Sequence, residues 1–272
     1  MANYTAADIR DLREKTGAGM MDVKRALDEA EGDAEKALEI IRVKGLKGIA
    51  KREGRAASEG LVAADIRDAD GQKVGTLLEI NCETDFVAKN QKFIDMGTQA
   101  VTVAADAGAG SPEELEAAGF DITENAASMG EKILVRRIGR VAGEHVEAYL
   151  HRTAKDLPPQ VGVLVATDAK GAEVARDVAM HIAAYSPTYL TRDEVPAEKV
   201  ESERHIAEET ARNEGKPEAA LTKIVEGRMN GFFKENVLLD QAFARDPKKS
   251  VGQIVQEAGG TITGFVRFRV GA

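Results

Sequence analysis

Cys82, Glu83 and Asp85 fall within four residues of one another, and a thiol beside two carboxylates is the first place to look for chemistry. The neighbourhood argues against it. Negative charge disfavours the thiolate, which is the nucleophilic form. The two carboxylates have no second pair and no acid–base partner near them in the chain. The four histidines, His145, His151, His181 and His205, lack zinc-ligand spacing, and one cysteine cannot complete such a site. His145 and His151 sit six apart on a candidate strand and so share a face, where hydrogen-bonded surface histidines are the simpler reading. No Gly-x-Ser-x-Gly elbow and no Gly-x4-Gly-Lys-Ser/Thr phosphate loop is present. Gly108-Ala109-Gly110 lacks the following helix that dinucleotide binding requires. No catalytic residue, metal or cofactor is therefore expected, and the chain reads as a surface for a partner.

The same stretch supplies that surface. Asn81 to Asn90 lies where an alternating run ends and a helical pattern begins. Asp85 and Phe86 stand side by side at this corner. Phe93 follows seven residues later, so the two aromatics could pack on one helical face. The other reading offers Phe86 to a partner.

Composition sets the frame. The 272 residues are enough for two modest domains, and 43% are apolar. Aromatics are 4% and Trp is absent, so Ala, Val, Ile and Leu must build the core. A net charge of −9 disfavours direct nucleic-acid binding, because phosphate repels an acidic chain. The lone Cys82 fits a reducing compartment. Met1-Ala2-Asn3-Tyr4 shows no basic region followed by an apolar run, and no stretch is long enough to cross a bilayer. A soluble, cytoplasmic protein without a membrane partner is expected.

The periodicity predicts an α+β fold. Residues 5–49 carry three short amphipathic helices, with Thr5 and Asp33 as caps and Lys15-Thr16-Gly17-Ala18-Gly19 as a break. The basic, glycine-containing stretch 44–58 reads as the third helix fading into a tether. Residues 60–81 form a β-hairpin turning at Ala69-Asp70-Gly71. Lys89 to Ala105 is one helix with Phe93, Met96, Ala100 and Ala104 on a face, and Ile133 to Val141 is a strand. Strand, turn, strand, helix then recurs at 144–184, which predicts two related subdomains with small antiparallel sheets. Two helices around Gly215-Lys216-Pro217 make a hairpin, the first too polar for a core. The strand Ile262 to Val270 completes the second sheet.

Five segments then carry a resemblance. Thr16-Gly17-Ala18-Gly19-Met20-Met21-Asp22-Val23-Lys24-Arg25-Ala26-Leu27 is similar to the N-terminal signature of bacterial elongation factor Ts, and Asn81-Cys82-Glu83-Thr84-Asp85-Phe86-Val87-Ala88-Lys89 to its second. Ala179 to Ala184, Val225 to Met229 and Thr263 to Phe268 resemble later segments of that family, in the same order. The resemblance implies a guanine nucleotide exchange factor for elongation factor Tu. It implies a three-helix, UBA-like module with a basic linker over 1–54, a core N-subdomain over 55–142, a core C-subdomain over 143–196 and 238–272, and an inserted helical hairpin over 197–237. Thr84, Asp85, Phe86 and Val87 would enter the partner near its Mg²⁺ and nucleotide. Lys24, Met129, Gly130, His151 and His181 are further implied contacts. Many family members continue into an extra C-terminal helix that grips the partner, whereas this chain stops at Gly271-Ala272, so that contact should be missing or supplied elsewhere. Two other readings stay open: a helical adaptor or dimerisation protein without exchange activity, and an enzyme using Cys82 or the Glu83–Asp85 pair. The hairpin is either a solvated projection or a surface for self-association.

Overall fold

The N-terminal apolar repeats close into α1 (Ala6–Thr16), α2 (Met20–Glu29) and α3 (Ala34–Arg52). The computed structural model describes residues 3–16, 18–52 and 54–272. Gly17 of the expected break, Glu53 of the basic stretch and Met1-Ala2 lie outside the described residues. The caps form as the residue types dictate. Asp8 Oδ2 accepts the Thr5 N–H at 2.6 Å while Thr5 Oγ1 accepts that of Asp8 at 3.4 Å. Asp33 Oδ1 accepts the N–H groups of Glu35 and Lys36 at 3.0 and 3.1 Å. Leu12, Val23, Leu27, Ala37 and Ile41 pack between the helices.

The stretch 44–52 corrects the tether reading, because α3 runs on through it to Arg52. Its Gly45 lies against the backbone of Ala127, so close that a Cβ there would come 2.1 Å from the Ala127 carbonyl oxygen. The glycine that resembles a helix breaker serves a close approach between two backbones.

The core follows in chain order. Strands β1 (Glu59–Ala69) and β2 (Gln72–Cys82) form the hairpin, with Ala69 opposite Gln72. Asp70 and Gly71 have φ of 50° and 78°, as a two-residue turn matched to strand twist requires. Next come α4 (Asp85–Ala88), α5 (Gln91–Ala107), α6 (Pro112–Ala117), α7 (Thr123–Met129) and β3 (Leu134–Gly143), which pairs with β2. The pattern then repeats as β4 (His145–His151), β5 (Val161–Thr167) and α8 (Ala172–Tyr185). Hairpin helices α9 (Ala197–Asn213) and α10 (Glu218–Asn236), the short pair β6 (Ala242–Phe243) and β7 (Asp246–Ser250), α11 (Val251–Glu257) and β8 (Ile262–Arg269) complete the chain. Both three-stranded sheets are antiparallel with the second hairpin strand in the middle, in the orders β1-β2-β3 and β4-β5-β8. The fold is α+β, and the repeat read from the pattern is a repeat of topology.

Strand periodicity sorts the apolar residues into layers. Leu78, Ile80 and Cys82 face Phe93, Met96 and Ala100 of α5. Val62 and Leu77 point the other way, against Val146, Leu164 and Phe268 of the second sheet. Val163 and Val165 then meet Val178 and Ile182 of α8. The order is helix, sheet, sheet, helix, each sheet covered on both faces. A buried carboxylate sits between the sheets. Glu79, 0% exposed, accepts from Arg137 Nε at 2.7 Å, and the guanidinium lies 4.6 Å from the Phe268 ring centroid. The α9–α10 hairpin turns at Gly215 (φ 71°) and has its own small seam of Ala207, Val225 and Met229.

Candidate partner-binding site

Strand β2 ends at Cys82, and the chain then makes a single helical turn. Thr84 has extended backbone (φ −126°, ψ 155°), and its hydroxyl oxygen accepts the Val87 N–H at 3.4 Å. The helix from Lys89 to Ala105 expected from the pattern is in fact preceded by this separate turn, α4. Asn90 divides the two: its backbone is extended, and its Oδ1 accepts the Lys92 N–H at 2.9 Å to start α5. The break decides the fate of the aromatics. Phe93 is 0% exposed in the first core, whereas Phe86 is 81% exposed. Val87 and Ala88 are buried and anchor the turn from below. Phe86 does not share a face with Phe93.

The turn is tied on two sides. Glu131 Oε2 accepts the N–H groups of Glu83 and Thr84, each at 3.0 Å, and Oε1 accepts the Thr84 hydroxyl at 2.5 Å. Glu83 returns the bond by accepting the Lys132 N–H at 2.6 Å, and also pairs with Arg55 at 3.2 Å. On the other side, Lys89 Nζ lies 2.7 Å from Asp85 and 2.8 Å from Asp156, which sits between β4 and β5. Hydrogen bonds to Asp156 and then Asp85 hold the Lys89 ammonium above its ordinary pKa range. The same bond to Lys89 lowers the Asp156 carboxyl. Cys82 is sealed below, donating to the Thr84 carbonyl at 3.3 Å. Burial first, then the charge of Glu131, pushes its thiol up, so it stays protonated and unreactive.

The remaining expected contacts scatter. Lys24 is exposed on α2, beside Met20 and Met21, which are 58% and 62% exposed. Gly130 ends α7 with φ of 77° and borders a cleft of about 210 Å³ shared with Asp22 and Arg25 of α2. Met129, 5% exposed, belongs to the first core. His151 is exposed on β4, its Nδ1 3.2 Å from the Tyr149 hydroxyl. His181 is 1% exposed: its Nε2 bonds Gln241 Oε1 at 2.8 Å and its Nδ1 accepts the Ala244 N–H at 3.2 Å. Those bonds specify the neutral ring protonated on Nε2, and burial lowers its pKa. Met129 and His181 thus present no side-chain surface to a partner in this conformation.

Thr84 to Val87 are brought together with Glu131 and, through Lys89, with Asp156. The sequence reading missed Glu131 and Asp156. Glu131 lies 47 residues from Thr84, and no local pattern marks it. Among the described residues, no group of His, Cys, Asp or Glu could hold a metal ion, and no helix is long and apolar enough to cross a membrane.

The sequence model of the family described as elongation factor TS matches residues 83–272. The chain belongs to the elongation factor Ts family. It is similar to elongation factor Ts of Beutenbergia cavernae, with 66% identity covering 100% of both chains. The same protein of Micrococcus luteus is 62% identical, again over 100% of both chains. Membership of the elongation factor Ts family places the chain in translation elongation, within protein biosynthesis. The match begins at Glu83, inside the corner described above.

Proposed function

We propose that this member of the elongation factor Ts family is a guanine nucleotide exchange factor: it binds elongation factor Tu, displaces Mg²⁺ and promotes GDP release so that GTP can bind. The carrying observation is Phe86, a large aromatic 81% exposed on a turn that is hydrogen-bonded at its start and anchored by the buried Val87 and Ala88. An apolar ring held out in this way gains from burial in a partner and nothing from its own core.

Exchange requires no bond chemistry, so the protein is not an enzyme and uses no cofactor. The factor binds a partner state that holds nucleotide and Mg²⁺ poorly, and by linkage each weakens the other's binding equally. Mg²⁺ demands near-ideal octahedral geometry, so a small displacement of its surroundings costs affinity. Phe86 acts as a wedge between partner side chains, supported by Val87 beneath it and Thr84 at its cap. Asp85 exchanges its Lys89 contact for groups near the metal. An aromatic anchor of this kind contributes about 2 kcal/mol or more, a factor of roughly thirty in an equilibrium constant. The exposed Lys24 face of α2 gives a second contact, with Gly130 at its margin, and the exposed His151 on β4 gives a further one. Nucleic acid and membrane take no direct part, and the site of action is the cytoplasm.

The test is release of labelled GDP from elongation factor Tu on adding the purified protein. Fast release supports exchange; binding without release favours an adaptor. A variant lacking 197–237 that still sediments as the intact protein does would remove self-association through the hairpin.

A further inference from the structure

We infer that Glu131 is a positioning residue for exchange: its carboxylate presets the turn that carries Phe86. The inference rests on the exchange reading above. The α4 helix has four residues, too few to hold itself together in water. Its shape comes from outside. Glu131 spends both oxygens on the two residues that lead into it, the N–H groups of Glu83 and Thr84 at 3.0 Å on one and the hydroxyl of the capping Thr84 on the other. A carboxylate is acceptor-only, and all three groups facing it are donors, so the match is complete. Gly130, with φ of 77°, reverses the chain after α7 and brings Glu131 to the corner. The returning bond from Lys132 N–H to Glu83 closes the pair of segments on each other at 2.6 Å.

Such a clamp matters to binding because it is made before the partner arrives. A turn ordered in the free protein leaves less to order in the complex. Glu131 acts through Phe86 and has no need to touch the partner. Its loss should therefore matter for exchange where Phe86 is present and should matter little where Phe86 is already gone. A residue that only supports the fold would lower exchange equally in both backgrounds.

The experiment measures the efficiency of stimulated GDP release from elongation factor Tu across five full-length proteins: the unaltered chain, E131A, E131Q, F86A and E131A/F86A. E131A should fall about tenfold, the scale of coupling between contacting residues, and add less than about twofold to F86A. E131Q should stay close to the unaltered chain, since its amide oxygen can accept both N–H groups and its NH₂ can donate to the Thr84 hydroxyl. Equal loss in both backgrounds, or full exchange by E131A, overturns the inference. If E131A does not unfold cooperatively, T84V, which deletes the hydroxyl arm of the clamp, takes its place under the same rule. F86A with undiminished exchange overturns the parent reading and this one together; a slow F86A beside a normal E131A overturns this one alone.

Discussion

Phe86 and Phe93 lie seven residues apart, yet Phe93 is 0% exposed and Phe86 is 81% exposed. Asn90 separates them by ending one helical turn and capping the next helix. The two rings therefore predict opposite phenotypes. F93A should lose about 3–5 kcal/mol of stability, as large-to-small changes in a packed core do. F86A should stay within about 0.5 kcal/mol. Urea denaturation of both variants checks the contrast.

Glu79 and Arg137 pair across β2 and β3 of the first sheet, and the guanidinium reaches the second sheet at the Phe268 ring and the Arg269 carbonyl. Among the described residues, removing the cation leaves a fully buried carboxylate held by Asn81 and the Gly271 N–H. R137A should lose about 3 kcal/mol. The measurement is the urea midpoint at neutral pH.

His181 gives a pH dependence. Burial lowers its folded pKa below the ordinary 6.5, so the unfolded chain takes up the proton first as pH falls. Its contribution to stability is full above the unfolded value and is lost as pH drops from there towards the folded value. The urea midpoint should fall between about pH 7.5 and 5.5, more steeply in the unaltered chain than in H181Q.

Gly45 fixes the N-terminal module. A Cβ 2.1 Å from the Ala127 carbonyl cannot be accommodated, so G45V should part α3 from α7. Limited trypsin digestion should then cut faster within 44–55, while the core from β1 onward resists.

Much of this was readable along the chain. Alternation over 60–81 with Asp70-Gly71 at its centre fixes a hairpin locally, and so does the i, i+3, i+4 spacing of Leu221, Ile224, Val225 and Met229 in α10. The readings that needed correction depend on distant residues. Gly45 and Gly48 look like helix breakers until Ala127 is known to lie against the first. Asn90 is compatible with a helix interior and becomes a cap because Val87 and Ala88 are drawn into the core. Glu131 and Asp156 reach the candidate site from other elements, and His181 is buried by Gln241 and Phe243 from beyond the hairpin.

The central claim is that the exposed ring of Phe86 drives nucleotide exchange. The direct measurement is the rate of labelled GDP release from elongation factor Tu with the unaltered protein and with F86A, both shown to unfold at the same urea midpoint. The account predicts rapid release with the first and release slowed roughly thirtyfold with the second. Equal rates from two equally stable proteins would contradict it.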